Sequence, residues 1–185
     1  MEYRLEAASP STLGEGTEAL SRLVDLINRV YRESERGMWR NETFQRTNKA
    51  EVCSLIRAGE LFVARLPKQG DAVAGCVHVK MVNPTLGEFG MLVVDPSLRK
   101  MGIGRKLIER AEQEAHQRGA KTMQLLLLHP KPPAPSNPDK DILGKKWYPK
   151  LGYQPGPDID FALDYPDLAA GLASPCHFQI FTKPL

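Results

Sequence analysis

Cysteine is scarce in this sequence: there are three residues, Cys53, Cys76 and Cys176, widely spaced and odd in number. No Cys/His spacing resembles a zinc site, so each thiol reads as a small apolar residue in a reducing intracellular compartment. No uninterrupted apolar run approaches the roughly 20 residues that span a bilayer. Residues 1–10 carry Glu2 and Glu6 and lack the apolar centre of a secretory signal, and Thr182-Lys183-Pro184-Leu185 does not match the Ser-Lys-Leu peroxisomal address. A cytoplasmic protein is expected, with the nucleus left open. Excess charge is also missing. A net charge of +3 suits an anionic ligand but does not demand a polyanion such as nucleic acid. What remains is an ordinary globular composition, 42% hydrophobic and 25% charged, in 185 residues. That length fits one domain, residues 1–185, with a substantial core.

Periodicity sets the elements. Residues 3–7 read as a first strand and 9–16 as turn-rich. A helix over 17–31 follows from Leu20, Leu23, Val24, Ile27 and Val30 at 3–4 spacing. Residues 33–46 are polar and irregular, with Trp39 and Phe44 as the large apolar members. Asn48 with Glu51 resembles a capping box and starts a helix that Gly59 stops. Residues 60–66 and 72–82 read as strands, with Val73, Val77, Val79 and Met81 on one face of the second. A strand over 88–94 leads into a helix over 102–118 that buries Ile103, Leu107, Ile108, Ala111 and Ala115. Glu114 and Arg118 form an i,i+4 pair in its last turn, and Gly119 ends it. Residues 123–128 are apolar on both faces, as in a central or parallel strand. Strand, helix and strand then form a right-handed β-α-β crossover. A proline-rich loop spans 131–139, a short helix 141–150, and a last strand 178–181.

The segment Asp95-Pro96-Ser97-Leu98-Arg99-Lys100-Met101-Gly102-Ile103-Gly104 joins the strand to the crossover helix. A helix start leaves backbone N–H groups without partners and carries partial positive charge. Glycines let a phosphate approach closely, and Arg99, Lys100, Arg105 and Lys106 add full charges. A dinucleotide fingerprint would need glycine where Leu107 stands and no hexapeptide before the glycines; a Gly-Lys-Ser/Thr nucleotide loop is absent. A plain turn with a fortuitous Gly-x-Gly competes with the anion site, and the flanking basic residues favour the latter.

Two segments then resemble one family. Leu92-Val93-Val94-Asp95 through Gly104, with Leu107 and Ile108, resembles motif A of the GNAT superfamily of N-acetyltransferases, which ends in Arg/Gln-x-x-Gly-x-Gly/Ala. Trp147-Tyr148-Pro149-Lys150-Leu151-Gly152-Tyr153 resembles the family's aromatic-Tyr-x-x-x-Gly-aromatic segment. The match covers residues 86–153; the first half agrees only in its order of elements. The resemblance implies an α/β fold with a mixed, mostly antiparallel sheet flanked by helices, whose parallel strands at 88–94 and 122–128 splay apart around acetyl-coenzyme A. It implies an acetyl-coenzyme A-dependent N-acetyltransferase that needs no metal and transfers directly to a primary amine in a ternary complex. Leu92, Val93 and Val94 would meet the pantetheine arm, and Arg99, Lys100, Met101, Gly102, Ile103, Gly104 and Arg105 the diphosphate. Asp141 and Trp147 join the coenzyme set, although many members carry Asn where Asp141 stands and Ala where Gly144 stands. Residues 130–139 also lengthen the loop before the helix.

Acetyl transfer requires an amine stripped of its proton, a polarised thioester carbonyl and a proton for the leaving thiolate. A lysine-like amine of pKa about 10.4 is neutral at pH 7 only at a cost near 4.6 kcal/mol, so a base is useful. Family members that place a glutamate four residues before the position of Leu92 suggest Glu88 as that base, direct or through water; a solvated strand-end charge is the competing reading. Tyr148 is the candidate acid, since a phenol keeps its proton at neutral pH; packing beside Trp147 competes. A backbone N–H near Leu92 would polarise the carbonyl. Trp39, Arg40 and Arg46 lie where the family often builds its acceptor pocket, and His129 follows a strand end beside the wedge. His78 reads as a satisfied sheet histidine, and His116 and His177 have no partner pattern. A small-molecule amine is the expected partner, with no nucleic acid and no membrane, for a monomer or homodimer. A protein or peptide lysine or N-terminus, or a non-catalytic acyl-coenzyme A module, are the alternatives.

Overall fold

The computed structural model describes residues 2–185. β1 (Arg4–Ala7) leads into a short helix α1 (Pro10–Leu13), capped by the Ser9 hydroxyl inside the segment expected to be turns. α2 (Glu18–Ser34) starts at Thr17, whose side chain accepts from the Leu20 amide, and runs a turn further than its apolar periodicity suggests. α3 (Lys49–Arg57) starts at Asn48, which accepts from the Glu51 amide. The Glu51 carboxylate does not complete the box; it accepts from the Thr47 hydroxyl at 2.7 Å. β2 (Leu61–Leu66), β3 (Ala72–Asn83) and β4 (Leu86–Val94) form an antiparallel meander. α4 (Ile103–Gln117) then crosses to β5 (Thr122–Pro130), parallel to β4. α5 (Pro138–Ile142), a π-wound stretch Leu143–Trp147 and α6 (Tyr148–Lys150) follow as one continuous helical segment. β6 (Gln154–Asp160), α7 (Phe161–Asp164), α8 (Pro166–Ala169) and β7 (Cys176–Pro184) complete the chain. The sheet order is β1-β2-β3-β4-β5-β7-β6. Among the described residues no helix is long and apolar enough to cross a membrane.

Each face of the sheet carries its own core. Phe62, Val77, Val79, Phe89 and Met123 pack under α4 through Ile103, Leu107, Ile108, Ala111 and Ala115. Leu61, Val63, Cys76, Met91 and Val93 pack on the other face under α2 and α3. The alternation in β3 is first broken near its start. Ala64 pairs with Gly75 and Arg65 with Val73, so Ala74 is an extra residue. This bulge turns Val73 onto the α2/α3 face, away from Val77, Val79 and Met81, with which simple alternation groups it.

β4 has a second bulge, which opens the molecule. Cys76 pairs with Val93 and His78 with Gly90, so Val77 faces two residues, and Met91 takes a left-handed φ of 47°. β4 and β5 pair only at Leu86–Thr122, Gly87–Met123 and Glu88–Gln124; beyond Glu88 they part. Below the split, Gly87 lets α4 come close, since a Cβ there would sit 2.7 Å from the Ala115 Cβ and 3.0 Å from the Met123 sulfur. Gly87→Ala therefore lowers stability by about 1–3 kcal/mol through overpacking; urea unfolding reads the shift in midpoint, and an unchanged midpoint counts against this packing.

Candidate active site

A single continuous cavity of about 920 Å³ occupies the split between β4 and β5. It runs from the start of α4, past Glu88, Leu92, Leu125 and Tyr148, to Tyr31, Trp39 and Phe178. Three regions follow from the residues that line it.

The first is the start of α4. α1, α2, α3 and α5 are each capped by a side-chain oxygen, from Ser9, Thr17, Asn48 and Asn137. α4 has Gly102 at that position, with φ 81° and no side chain to offer. The first helical bond is Lys106 N–H to Gly102 carbonyl, so the amides of Ile103, Gly104 and Arg105 have no partner among the described residues. No acidic residue sits in the first turn. Asp95 buckles the preceding turn by accepting from the Ser97 amide at 2.9 Å and the Ser97 hydroxyl at 2.7 Å. Arg105 and Lys106 are both tied to Glu109, at 2.9 and 2.7 Å, whereas Arg99 and Lys100 have no ion-pair partner among the described residues. Open amides, a helix dipole and two uncommitted cations make this end receptive to an anion. The Trp147 indole lies 3.5 Å from where a Gly104 Cβ would stand and walls the same end.

The second region is the middle. Tyr148 is buried against Phe89, Trp147, Tyr153 and Phe181, with ring centroids 5.1–6.3 Å away. Its hydroxyl has no hydrogen-bond partner among the described residues, and the side chain lines the cavity. Burial, with a smaller effect from Tyr31, pushes its phenol well above the usual range. Glu88 stands at the fork. Its Oε2 accepts from Gln124 Nε2 at 2.7 Å, and its Oε1 lies 2.9 Å from Lys80 Nζ. The carboxylate is thus held in place by both partners.

The third region is the far end. Tyr31, half-buried, has its phenol pushed up to about 12, desolvation outweighing the Arg46 guanidinium, which stands 5.4 Å from its ring centroid. Beside it, Lys140 Nζ donates to Glu35 Oε1 at 3.0 Å and Trp39 Nε1 donates to Glu35 Oε2 at 2.8 Å. Both charged side chains of this pair are 6% exposed. Asn137 aligns the lysine: its side chain caps α5 and donates to the Ser34 carbonyl at 2.9 Å. Five rings complete the wall. Trp39 stacks on Phe44 at 3.6 Å, and Trp39, Phe161, Tyr165 and Phe178 pack at 5.2–6.1 Å. The segment 38–40 is clasped to 171–173 by a Trp39–Leu172 bridge, by the Arg40 amide to the Gly171 carbonyl, by Arg40 Nε to the Leu172 carbonyl and by the Ala173 amide to the Met38 carbonyl.

Of the residues singled out from sequence, Tyr148, Glu88, Leu92, Val94, Arg99, Lys100, Gly102, Ile103, Gly104, Arg105, Trp147, Trp39 and Arg46 line this cavity. Val93 does not: it is buried on the α2/α3 face. Met101 is exposed beside the turn. Asp141 points off the cavity to Lys145, 3.1 Å away, and Arg40 is spent on the clasp. His129 is also off the wall. Its Nε2 is buried without a partner among the described residues, beside Gly144, and burial followed by the nearby His177 holds its pKa below the usual value. His78 is satisfied by Glu60 at 3.2 Å, as expected of a sheet histidine. Tyr31, Glu35, Lys140, Phe161, Tyr165 and Phe178 are wall residues that sequence reading missed. The continuation of α2 past Tyr31 was the one signal available for the first two.

A family profile described as the Acetyltransferase (GNAT) family matches residues 21–134. The chain belongs to that family. Comparison with curated protein sequences finds no match. Among solved structures, the family's fold recurs in the PaiA N-acetyltransferase from Thermoplasma acidophilum in complex with coenzyme A, at 17% identity and TM-score 0.69, covering 100% of both chains. It recurs in the NatC complex bound to Gag peptide and coenzyme A, at 15% identity and TM-score 0.65, covering 100% of this chain and 99% of that one. It recurs again in N-acetylglutamate synthase from Neisseria gonorrhoeae complexed with coenzyme A and N-acetyl-glutamate, at 16% identity and TM-score 0.64. There the whole of this chain covers only 35% of the larger enzyme.

The Glu35–Lys140 pair yields a stability test. Lys140→Met leaves a buried carboxylate without its cation and costs about 3–5 kcal/mol, whereas Glu35→Gln with Lys140→Met recovers most of that loss. Chemical denaturation of both variants measures the difference, and equal losses would mean that the pair is not electrostatically coupled.

Proposed function

We propose that this chain, as a single domain over residues 1–185, is an acetyl-coenzyme A-dependent N-acetyltransferase whose acceptor is the primary amine of a small molecule. The observation that carries the coenzyme is the uncapped start of α4 opening onto the unpaired edges of β4 and β5. The residues present fit such a ligand: the amides of Ile103, Gly104 and Arg105 with Arg99 and Lys100 would hold the diphosphate, and the β4 edge at Leu92 and Val94 would receive the amide-bearing arm. Bound there, the coenzyme supplies the thioester acyl group. The Leu92 region offers a backbone N–H to its carbonyl oxygen.

Tyr148 serves as the acid. Burial keeps its proton on well into the alkaline range, and its hydroxyl is uncommitted within the chain. Glu88 serves as proton acceptor for the amine, directly or through water, oriented by Gln124 and Lys80. Direct transfer fits the thiols: Cys76 and Cys176 are buried, and burial pushes them up to about 12 and about 11, so neither is a ready nucleophile. The clasp between 38–40 and 171–173 ties the wall residue Trp39 in place, and a far end fixed in this way supports a small acceptor over an extended peptide.

Two outcomes are expected. Tyr148→Phe lowers kcat by about 10²–10⁴-fold in a thiol-release assay while calorimetry finds coenzyme A affinity unchanged; wild-type turnover in this variant removes the tyrosine from its role. Gly104→Val, whose side chain would crowd Trp147 and the diphosphate, weakens coenzyme A binding by roughly tenfold or more; full affinity would mean that the diphosphate lies elsewhere.

A further inference from the structure

The far wall of the cavity carries a substrate class, and we infer that the acceptor is a monoamine with an aromatic or broad apolar body, an assignment that rests on the acetyl-transfer reading above. Five rings converge there. Phe161 lies at their centre, 6.1 Å from Trp39, 5.3 Å from Tyr165 and 5.2 Å from Phe178, and Phe44 stacks beyond Trp39. Tyr165 is 42% exposed, so the cluster faces the opening rather than closing on itself. Rings that keep exposed faces in a concave wall gain most from a flat apolar partner.

Charge points the same way. A polyamine needs carboxylates free to receive its second and third ammonium groups. In the far half both oxygens of Glu35 are engaged, by Lys140 and Trp39. Both oxygens of Glu88 are engaged, by Lys80 and Gln124. Asp139 lines the cavity but is exposed to water at its mouth. The cations there are matched as well: Lys140 lies 3.0 Å from Glu35 and Arg46 3.8 Å from Glu51, so the far end offers little net charge of either sign. A second ammonium entering this region would lose hydration and find its carboxylates already paired, with Asp139 free only at the exposed mouth. A single amine aimed at the β4–β5 fork, with an apolar body against the rings, avoids that cost.

The test uses the intact protein. Coenzyme A binding is measured first by calorimetry. Then 2-phenylethylamine, spermidine and a five-residue peptide with a free N-terminus are compared as acceptors by thiol release from acetyl-coenzyme A, and as ligands of the coenzyme A complex by calorimetry. The aryl monoamine is expected to exceed spermidine and the peptide by roughly tenfold or more in kcat/KM and in affinity. Tyr165→Ala, at an exposed position between two short helices, is expected to raise the KM of the aryl amine while leaving coenzyme A affinity intact. Normal coenzyme binding with spermidine or the peptide preferred, or with no binding of the aryl amine, overturns the acceptor class alone. Absence of coenzyme binding overturns the acetyl-transfer reading and the acceptor class with it.

Discussion

β4 and β5 stay together for three residue pairs and then separate, and the remaining features of the site depend on that separation. A parallel pair broken in mid-sheet exposes N–H and C=O groups along two edges, and each such group buried without a partner costs about 1–3 kcal/mol. An open cleft lets water satisfy them, and an extended amide-bearing ligand can replace that water. The break is enforced from three sides. The bulge at Met91 bends β4 away from the line it would need to follow beside β5. Gly87 anchors α4 tightly below the fork. Tyr148, delivered by the π-wound segment, packs between Phe89 of β4 and Phe181 of β7 and fills the space a continued pair would close. Gly144 permits that delivery, because a Cβ there would sit 3.2 Å from Leu127 and 3.3 Å from Phe181.

The cavity so created is electrically asymmetric. At the α4 end the protein leaves its positive groups unmatched: three amides, the helix dipole, and Arg99 and Lys100. At the other end it matches its charges internally, Lys140 with Glu35 and Lys80 with Glu88. An elongated ligand with an anionic head and a neutral reactive tail would be aligned by this difference alone. The tail would arrive where the surroundings are largely apolar and the Tyr148 hydroxyl is uncommitted.

The elements that position the coenzyme end were legible because they are local. A strand, a basic glycine turn and an amphipathic helix occupy one contiguous stretch, and the tyrosine segment follows in a recognisable spacing. What escaped reading was long-range or irregular. The Glu35–Lys140 pair joins side chains 105 positions apart and leaves no periodic trace. β6 carries Pro155, Gly156 and Pro157, runs largely exposed at the sheet edge and pairs with β7 through a register shift, so neither propensity nor alternation marks it. Val73 was misassigned because a bulge inserts a residue that period-two counting cannot see. Asp141 and Arg40 hold the right neighbourhood in sequence, but each is claimed by a local partner, Lys145 and the Leu172 carbonyl.

The proton economy of the proposed reaction follows from this division. Glu88, clamped by an ammonium and an amide, would receive the proton, and a lysine-like amine in water is neutral at pH 7 only at a cost of about 4.6 kcal/mol. The amine does not stay in water, however. Moving it out of water into the cavity at the fork would disfavour its charged form before any base acts. The acceptor at the fork would then carry the proton away. The same burial acts in the opposite sense on Tyr148: it raises the phenol's pKa, so the group that must keep its proton keeps it under the very conditions that strip the amine. One apolar enclosure thus separates the two proton affinities in the directions that transfer requires, with the amine neutral and the phenol protonated at the same pH.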